Sequence, residues 1–190
     1  MADDRRHAIG RSDGMRTIGI AVVLAVAVAG CAPSTPRTGT PIAGGRVASA
    51  ILMTPAGRPA GRATIREVAG GLRVTIDARG LPPGLHGAHL HTIGQCLPPD
   101  FASAGGHWNP MGMKHGSMNP QGPHAGDLPN LMVGADGRGT LAINLAGASF
   151  DSLIDADGAA MVIHADPDDL MTDPSGNSGR RIVCGVLKAL

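Results

Sequence analysis

The sequence predicts an all-β, antiparallel sandwich or barrel for residues 45–190, and three observations carry that expectation. Short apolar runs bounded by Gly and Pro recur along the chain. One of them alternates apolar with polar residues, and no stretch beyond residue 30 holds apolar positions at helical spacing for three turns. The first two runs are 47–52 and 63–68. Residues 72–78 (L-R-V-T-I-D-A) have period two, as a strand with one buried face does. Asp136-Gly137 and Asp157-Gly158 form tight turns that join further strands, 140–145 and 160–164. Residues 182–187 close the series. The segments 92–130 and 165–180 are too long and too rich in Gly, Pro and Asn for hairpins. Loops of that length inside a compact domain usually carry function.

Composition narrows the function. Sixteen Lys+Arg against fifteen Asp+Glu leave a formal charge of +1, which disfavours binding to a polyanion through net charge. Trp108, Phe101 and Phe150 are the whole aromatic set, too few for a base-stacking platform, so no nucleic-acid partner is expected. With 29 Gly and 15 Pro the chain falls just short of the roughly 25–30% typical of low-complexity disorder. An apolar share of 43% is enough for a core.

The front end reads as an address. Thirteen uncharged residues run from Ile18 to Gly30, preceded by Arg16. As a helix they rise about 20 Å, short of the roughly 30 Å hydrocarbon core but suited to a secretion signal. Residues 1–30 are therefore expected to be leader and signal, with Met15 a better start than the acidic stretch before it. The exit Val28-Ala29-Gly30-Cys31 resembles the lipobox of bacterial lipoproteins, which implies cleavage before Cys31 and acylation of that residue. Residues 31–44 read as a Pro/Thr/Gly tether. This places the domain in the bacterial envelope, facing the periplasm on a lipid anchor; Ala32 after the Cys points to the outer membrane.

Seven of the eight His fall between His86 and His164. His89 and His91 stand two apart on a strand-like stretch, so both imidazoles share one face. His107, His115, His124 and Asp127 follow within the long loop, and His164 ends a strand. Imidazole favours Cu, Zn, Ni and Fe, and a carboxylate added to three His suits tetrahedral Zn²⁺. The residues support a His-rich transition-metal site.

Four segments, G-L-H-G-A-H-L-H (84–91), G-H-W-N-P (106–110), P-H-A-G-D-L-P-N (123–130) and G-N-S-G-R-R-I-V-C-G-V-L (176–187), resemble the bacterial copper/zinc superoxide dismutases, in order, across 45–190. The resemblance implies an eight-stranded antiparallel Greek-key barrel or sandwich with a long metal loop and a shorter electrostatic loop. It implies dismutation of superoxide to oxygen and hydrogen peroxide, one copper and one zinc per chain, and a monomer or homodimer. Copper would sit on His89, His91, His107 and His164. Zinc would sit on His107 as a bridging imidazolate, with His115, His124 and Asp127. His107 would also store the proton of the cycle. Arg181, rather than its neighbour Arg180, would guide the anion. Asp168 would link a copper His to a zinc His, and His86 would support the ligands from behind. With Cys31 acylated, the family pattern pairs Cys96 with Cys184.

The chain departs from the family at Ala88, where Phe is common. It departs again in the loop after His164, which has four Asp and no Lys before Arg180. The competing reading is a copper-handling envelope lipoprotein on the same fold, because Met111, Met113 and Met118 surround His115 and thioether sulfur suits Cu⁺. An inactive dismutase-like domain would lack copper ligands, and none is missing here.

Overall fold

The structure, a computed structural model, describes residue 40 and residues 42–190. The apolar run, Met15, Cys31 and most of the tether lie outside the described residues. Nine strands form one antiparallel sheet: β1 (Val47–Met53), β2 (Pro59–Val68), β3 (Gly71–Arg79), β4 (Gly84–His86), β5 (Ala88–His91), β6 (Leu131–Val133), β7 (Arg138–Ala146), β8 (Ala159–His164) and β9 (Arg181–Ala189). Their order is β4-β6-β7-β3-β2-β1-β9-β8-β5. The two edge strands, β4 and β5, are consecutive in sequence and separated only by Gly87. The sheet must therefore curl until its edges meet, giving a nearly closed barrel with little exposed edge.

That break explains the strand count. The expected eight strands become nine because the stretch around Gly87 divides, β4 pairing with β6 and β5 with β8. Gly87 itself donates to the Asp166 carbonyl and accepts from His164 N–H instead of continuing one ladder. β4 and β6, three residues each, were also too short to announce themselves as periodic runs. Asp136-Gly137 does close a hairpin, between β6 and β7, with Gly137 at φ 74°. Asp157-Gly158 leads into β8 from a single helical turn, α1 (Phe150–Leu153), and not from another strand.

Alternation builds the core. In β3, Leu72, Val74, Ile76 and Ala78 point inward, while Arg73, Thr75, Asp77 and Arg79 point away. β5 and β8 are buried on both faces. Leu90, Met161 and Ile163 join the barrel core. Ala160 and Val162 join a smaller cluster with Phe101, Ala104, Cys96 and Cys184 beneath the long loop. The Cys96–Cys184 disulfide spans 88 residues and ties that loop to β9.

Candidate metal centre

The long loop lands on the free edge of β5. Leu90 exchanges backbone hydrogen bonds with Trp108 and Gly126, Leu128 N–H donates to the Ala88 carbonyl, and Gly126 N–H donates to the Trp108 carbonyl. These contacts set Asp127 opposite His89 and His107 opposite His91. Position 126 must be Gly, since a Cβ there would run into the Leu90 carbonyl oxygen. Leu90 faces the core, so His89 and His91 face the loop, as period two requires.

Four His then converge. His89, His91, His107 and His164 each offer a ring nitrogen within a sphere of 4.8 Å, and all four are buried. In each, the other nitrogen is engaged. His89 Nε2 donates to Asp168 Oδ2 (2.7 Å), His91 Nδ1 to the Gly105 carbonyl (2.9 Å), and His164 Nδ1 to the Gly179 carbonyl (3.0 Å). His107 Nδ1 donates to Asp127 Oδ1 (2.9 Å). A neutral imidazole has one donor and one acceptor nitrogen. The nitrogens left over therefore carry lone pairs: His89 Nδ1, His91 Nε2, His107 Nε2 and His164 Nε2. Those four, with His115 Nδ1, are the buried side-chain atoms without a hydrogen-bond partner among the described residues. Leaving one buried polar atom unsatisfied costs about 1–3 kcal/mol. Several aimed at one point fit a cation that accepts imidazole lone pairs.

A second set adjoins the first. Asp127 Oδ1 lies 2.9 Å from His107 Nδ1, 3.1 Å from His115 Nδ1 and 3.2 Å from His124 Nδ1. The His115 contact falls outside hydrogen-bonding geometry, which leaves that lone pair free. His124 Nδ1 is also 3.4 Å from His107 Nδ1. His89 comes within range of this second set too. His124 stands beside this set, its Nδ1 hydrogen-bonded to Asp127 Oδ1. Asp127 Oδ2 accepts from the Gly116 and His124 backbone N–H groups (2.9 and 3.0 Å). His89 and His107 are common to both sets, and His107 alone turns its Nδ1 to Asp127 while its Nε2 is left without a partner.

Asp168, on the shorter loop, bridges the sets from behind. It accepts from His89 through one oxygen and from His115 Nε2 through the other (3.0 Å). Gly176, at φ 62°, makes room for this bridge, because a Cβ there would meet Asp168 Oδ1 and His115 Nε2. His86 is buried behind the centre, its Nδ1 2.8 Å from the His164 carbonyl oxygen and its Nε2 2.8 Å from that of Pro82. Arg181, half-buried, donates from Nη1 to the Phe101 carbonyl and from Nη2 to that of Gly105, both at 2.7 Å. Gly105 thus holds both Arg181 and His91. Arg180 is exposed. Both arginines, with Asp100, line a recess of about 360 Å³. A larger, mostly apolar groove of about 940 Å³ reaches His124, Asp127 and Asp168, but none of His89, His91, His107 or His164 lines it. Met111, Met113 and Met118 are exposed on the loop surface and belong to neither set.

The electrostatics suit metal binding. Burial lowers the pKa of His107 to about 4, against the opposing hydrogen bond to Asp127, and that of His164 to about 3; it also depresses His91, which the charge of Arg181 lowers further. Burial tends to raise Asp127 and Asp168, but hydrogen bonds from His107 and Gly116, and from His89 and His115, hold both below the ordinary Asp value. His91, His107 and His164 are therefore neutral, and Asp127 and Asp168 anionic, at neutral pH. For the metal-free protein the sign is clear. Above pH 6.5 these His are neutral whether folded or not; below it the unfolded chain takes up protons that the folded chain refuses until about pH 3–4. Its melting temperature should fall steadily from pH 6.5 towards 4, and a flat profile over that range would contradict the burial described.

Sequence reasoning did not find the carbonyls of Gly105 and Gly179, which carry no side-chain signal, nor Asn130 and Asp173. Asn130 is bonded to Asp168 at both backbone groups, and Asp173 Oδ1 accepts from His115 N–H (2.8 Å).

Comparison with known proteins agrees with this geometry. Residues 59–187 match the family model described as copper/zinc superoxide dismutase. A Cu-Zn superoxide dismutase of Aquifex aeolicus is 43% identical over 149 residues, covering 74% of this chain and 86% of the relative. A superoxide dismutase-like protein of Bacillus subtilis is 50% identical over 123 residues, 62% of this chain and 63% of the relative. The crystal structure of a SOD-like protein from Bacillus subtilis superposes with a TM-score of 0.70 at 44% identity, covering 74% and 97% of the two chains. The Cu/Zn superoxide dismutase of Brucella abortus gives a TM-score of 0.63 at 28% identity, covering 75% and 99%.

Proposed function

The chain belongs to the copper/zinc superoxide dismutase family, and from that footing we propose how its own residues divide the work. Copper would be held by His89, His91, His107 and His164, and zinc by His107, His115, His124 and Asp127. The observation that carries this reading is the group of four buried, unpartnered nitrogens on His89, His91, His107 and His164, beside which His107, His115 and His124 gather around Asp127. Copper would supply the one-electron chemistry by which two superoxide ions and two protons give oxygen and hydrogen peroxide, whereas Zn²⁺ is redox-inert and would fix charge and geometry.

The remaining work belongs to side chains. Arg181 has five N–H donors, of which two bond carbonyls, so its guanidinium is fixed in place with donors left for a diatomic anion. Asp168 fixes the tautomers of His89 and His115, so that each presents its lone pair to an ion. His107 Nε2 takes up and returns a proton during each cycle. This chain carries all seven proposed donor residues, which supports activity over a silent scaffold.

The envelope location completes the reading. The apolar run and the lipobox-like Val28-Ala29-Gly30-Cys31 support a periplasm-facing domain, monomer or homodimer, tethered at Cys31. Among the described residues no helix is long and apolar enough to cross a membrane.

The experiment is metal analysis and dismutation assay of the secreted domain and its Arg181→Ala variant. The wild type should hold one copper and one zinc and be active. The variant should keep both metals, lose on the order of tenfold in rate at low salt, and show a weaker salt dependence. An unchanged rate at low ionic strength would remove Arg181 from its role; a metal-loaded but inactive wild type would overturn the whole reading.

A further inference from the structure

The two loops over the centre meet at Asp168, and a residue outside every ligand pattern holds it there. Asn130 is the last residue of the long loop before β6. Its Nδ2 donates to the Asp168 carbonyl (2.8 Å) and its Oδ1 accepts from the Asp168 N–H (2.8 Å). One amide side chain thus grips both backbone groups of one residue, much as a neighbouring strand would. A single hydrogen bond would leave Asp168 free to pivot; two opposed ones do not.

The grip matters because the Asp168 carboxylate has to satisfy two directions at once. It reaches His89 on β5 and His115 on the long loop, and Oδ1 also accepts from Leu170 N–H (2.7 Å). Gly176 leaves it just enough space. Rotation of the Asp168 backbone would withdraw both acceptors together. His89 and His115 would then lose the partners that fix their tautomers and ring angles, one in each ion site.

We propose that Asn130 is a positioning residue for both ion sites, acting through Asp168 by clamping its backbone so that the carboxylate spans His89 and His115. This rests on the ligand assignment given under Proposed function. Outer-shell partners of metal ligands are typically worth 10–100-fold in affinity. Asn130 stands one step further out, so the lower end, about tenfold, is expected.

The test uses the full metal-free domain of wild type, Asn130→Ala, Asp168→Ala and the double variant, each titrated with Zn²⁺ against a competing chelating dye. Co²⁺ absorption at the zinc position reports donor geometry. Asn130→Ala should weaken zinc binding about tenfold and alter the Co²⁺ spectrum, and the double variant should bind no worse than Asp168→Ala alone. Asn130→Asp keeps the acceptor for the Asp168 N–H but loses the donor, and should recover part of the affinity. If Asn130→Ala does not fold, the comparison of Asn130→Asp with wild type decides. Unchanged affinity and spectrum in Asn130→Ala, or a penalty that persists undiminished on the Asp168→Ala background, would overturn the proposal. Should Asp168→Ala itself bind zinc normally, the carboxylate does not position the ligands and the proposal falls, whereas the ligand assignment falls only if His115→Ala also binds zinc normally.

Discussion

Replacing His107 with alanine should abolish dismutation and release both ions. On the proposed assignment the residue gives one nitrogen to each ion, and its Nδ1 lies 2.9 Å from the Asp127 carboxylate and 3.4 Å from His124 Nδ1. Alanine leaves three donors on each side and removes the proton-carrying atom between them. Zinc affinity should drop by more than the roughly 10–100-fold that the loss of an outer-shell partner costs. Activity should fall to that of buffer without protein. His124→Ala is the informative control, because it touches the zinc set alone. It should weaken zinc while leaving copper bound and dismutation largely intact. Equal losses in the two variants would show that His107 is an ordinary ligand and not a shared one.

The second large effect is on stability. The Cys96–Cys184 bridge closes a loop of 88 residues, which in the chain-entropy model stabilises the fold by about 4–5 kcal/mol, an upper figure. Cys96→Ser with Cys184→Ser should therefore lower the melting temperature by roughly 10–20 °C in a domain of this size. The site should feel the loss as well. The bridge packs with Phe101, Ala104, Ala160 and Val162, and the carbonyls of Phe101 and Gly105 hold Arg181. Freed of the bridge, that segment no longer fixes the guanidinium, so the residual activity should lose salt dependence as Arg181→Ala does. An unchanged melting temperature, or an unchanged salt response at full metal content, would contradict this link.

What the sequence revealed, and what it concealed, follows from where information resides in side chains. Period two put His89 and His91 on one face, and the structure does turn both away from the core while Leu90 turns in. The all-β antiparallel expectation held because β1, β3, β7 and β9 alternate or cluster their apolar residues in runs long enough to read. β4 and β6 escaped notice because three residues establish no period, and the division at Gly87 is a backbone event. His115, His124 and Asp127 were visible as residue types, but their meeting depends on the loop pairing with β5 through Leu90, a contact made entirely by peptide groups. The same holds for Gly105 and Gly179, whose carbonyls orient His91 and His164. Asn130 stood in the sequence only as the last residue of the segment 123–130, and its two bonds to Asp168 give it a task.

The shared ring of His107 is the centre of this account, and a crystal structure of the copper- and zinc-loaded domain, with anomalous maps at each metal's absorption edge, examines it most directly. Two ions should appear, copper on His107 Nε2 and zinc on its Nδ1, the zinc at about 2.0–2.1 Å. A single ion, or two ions with the His107 ring beyond bonding distance of either, would contradict it.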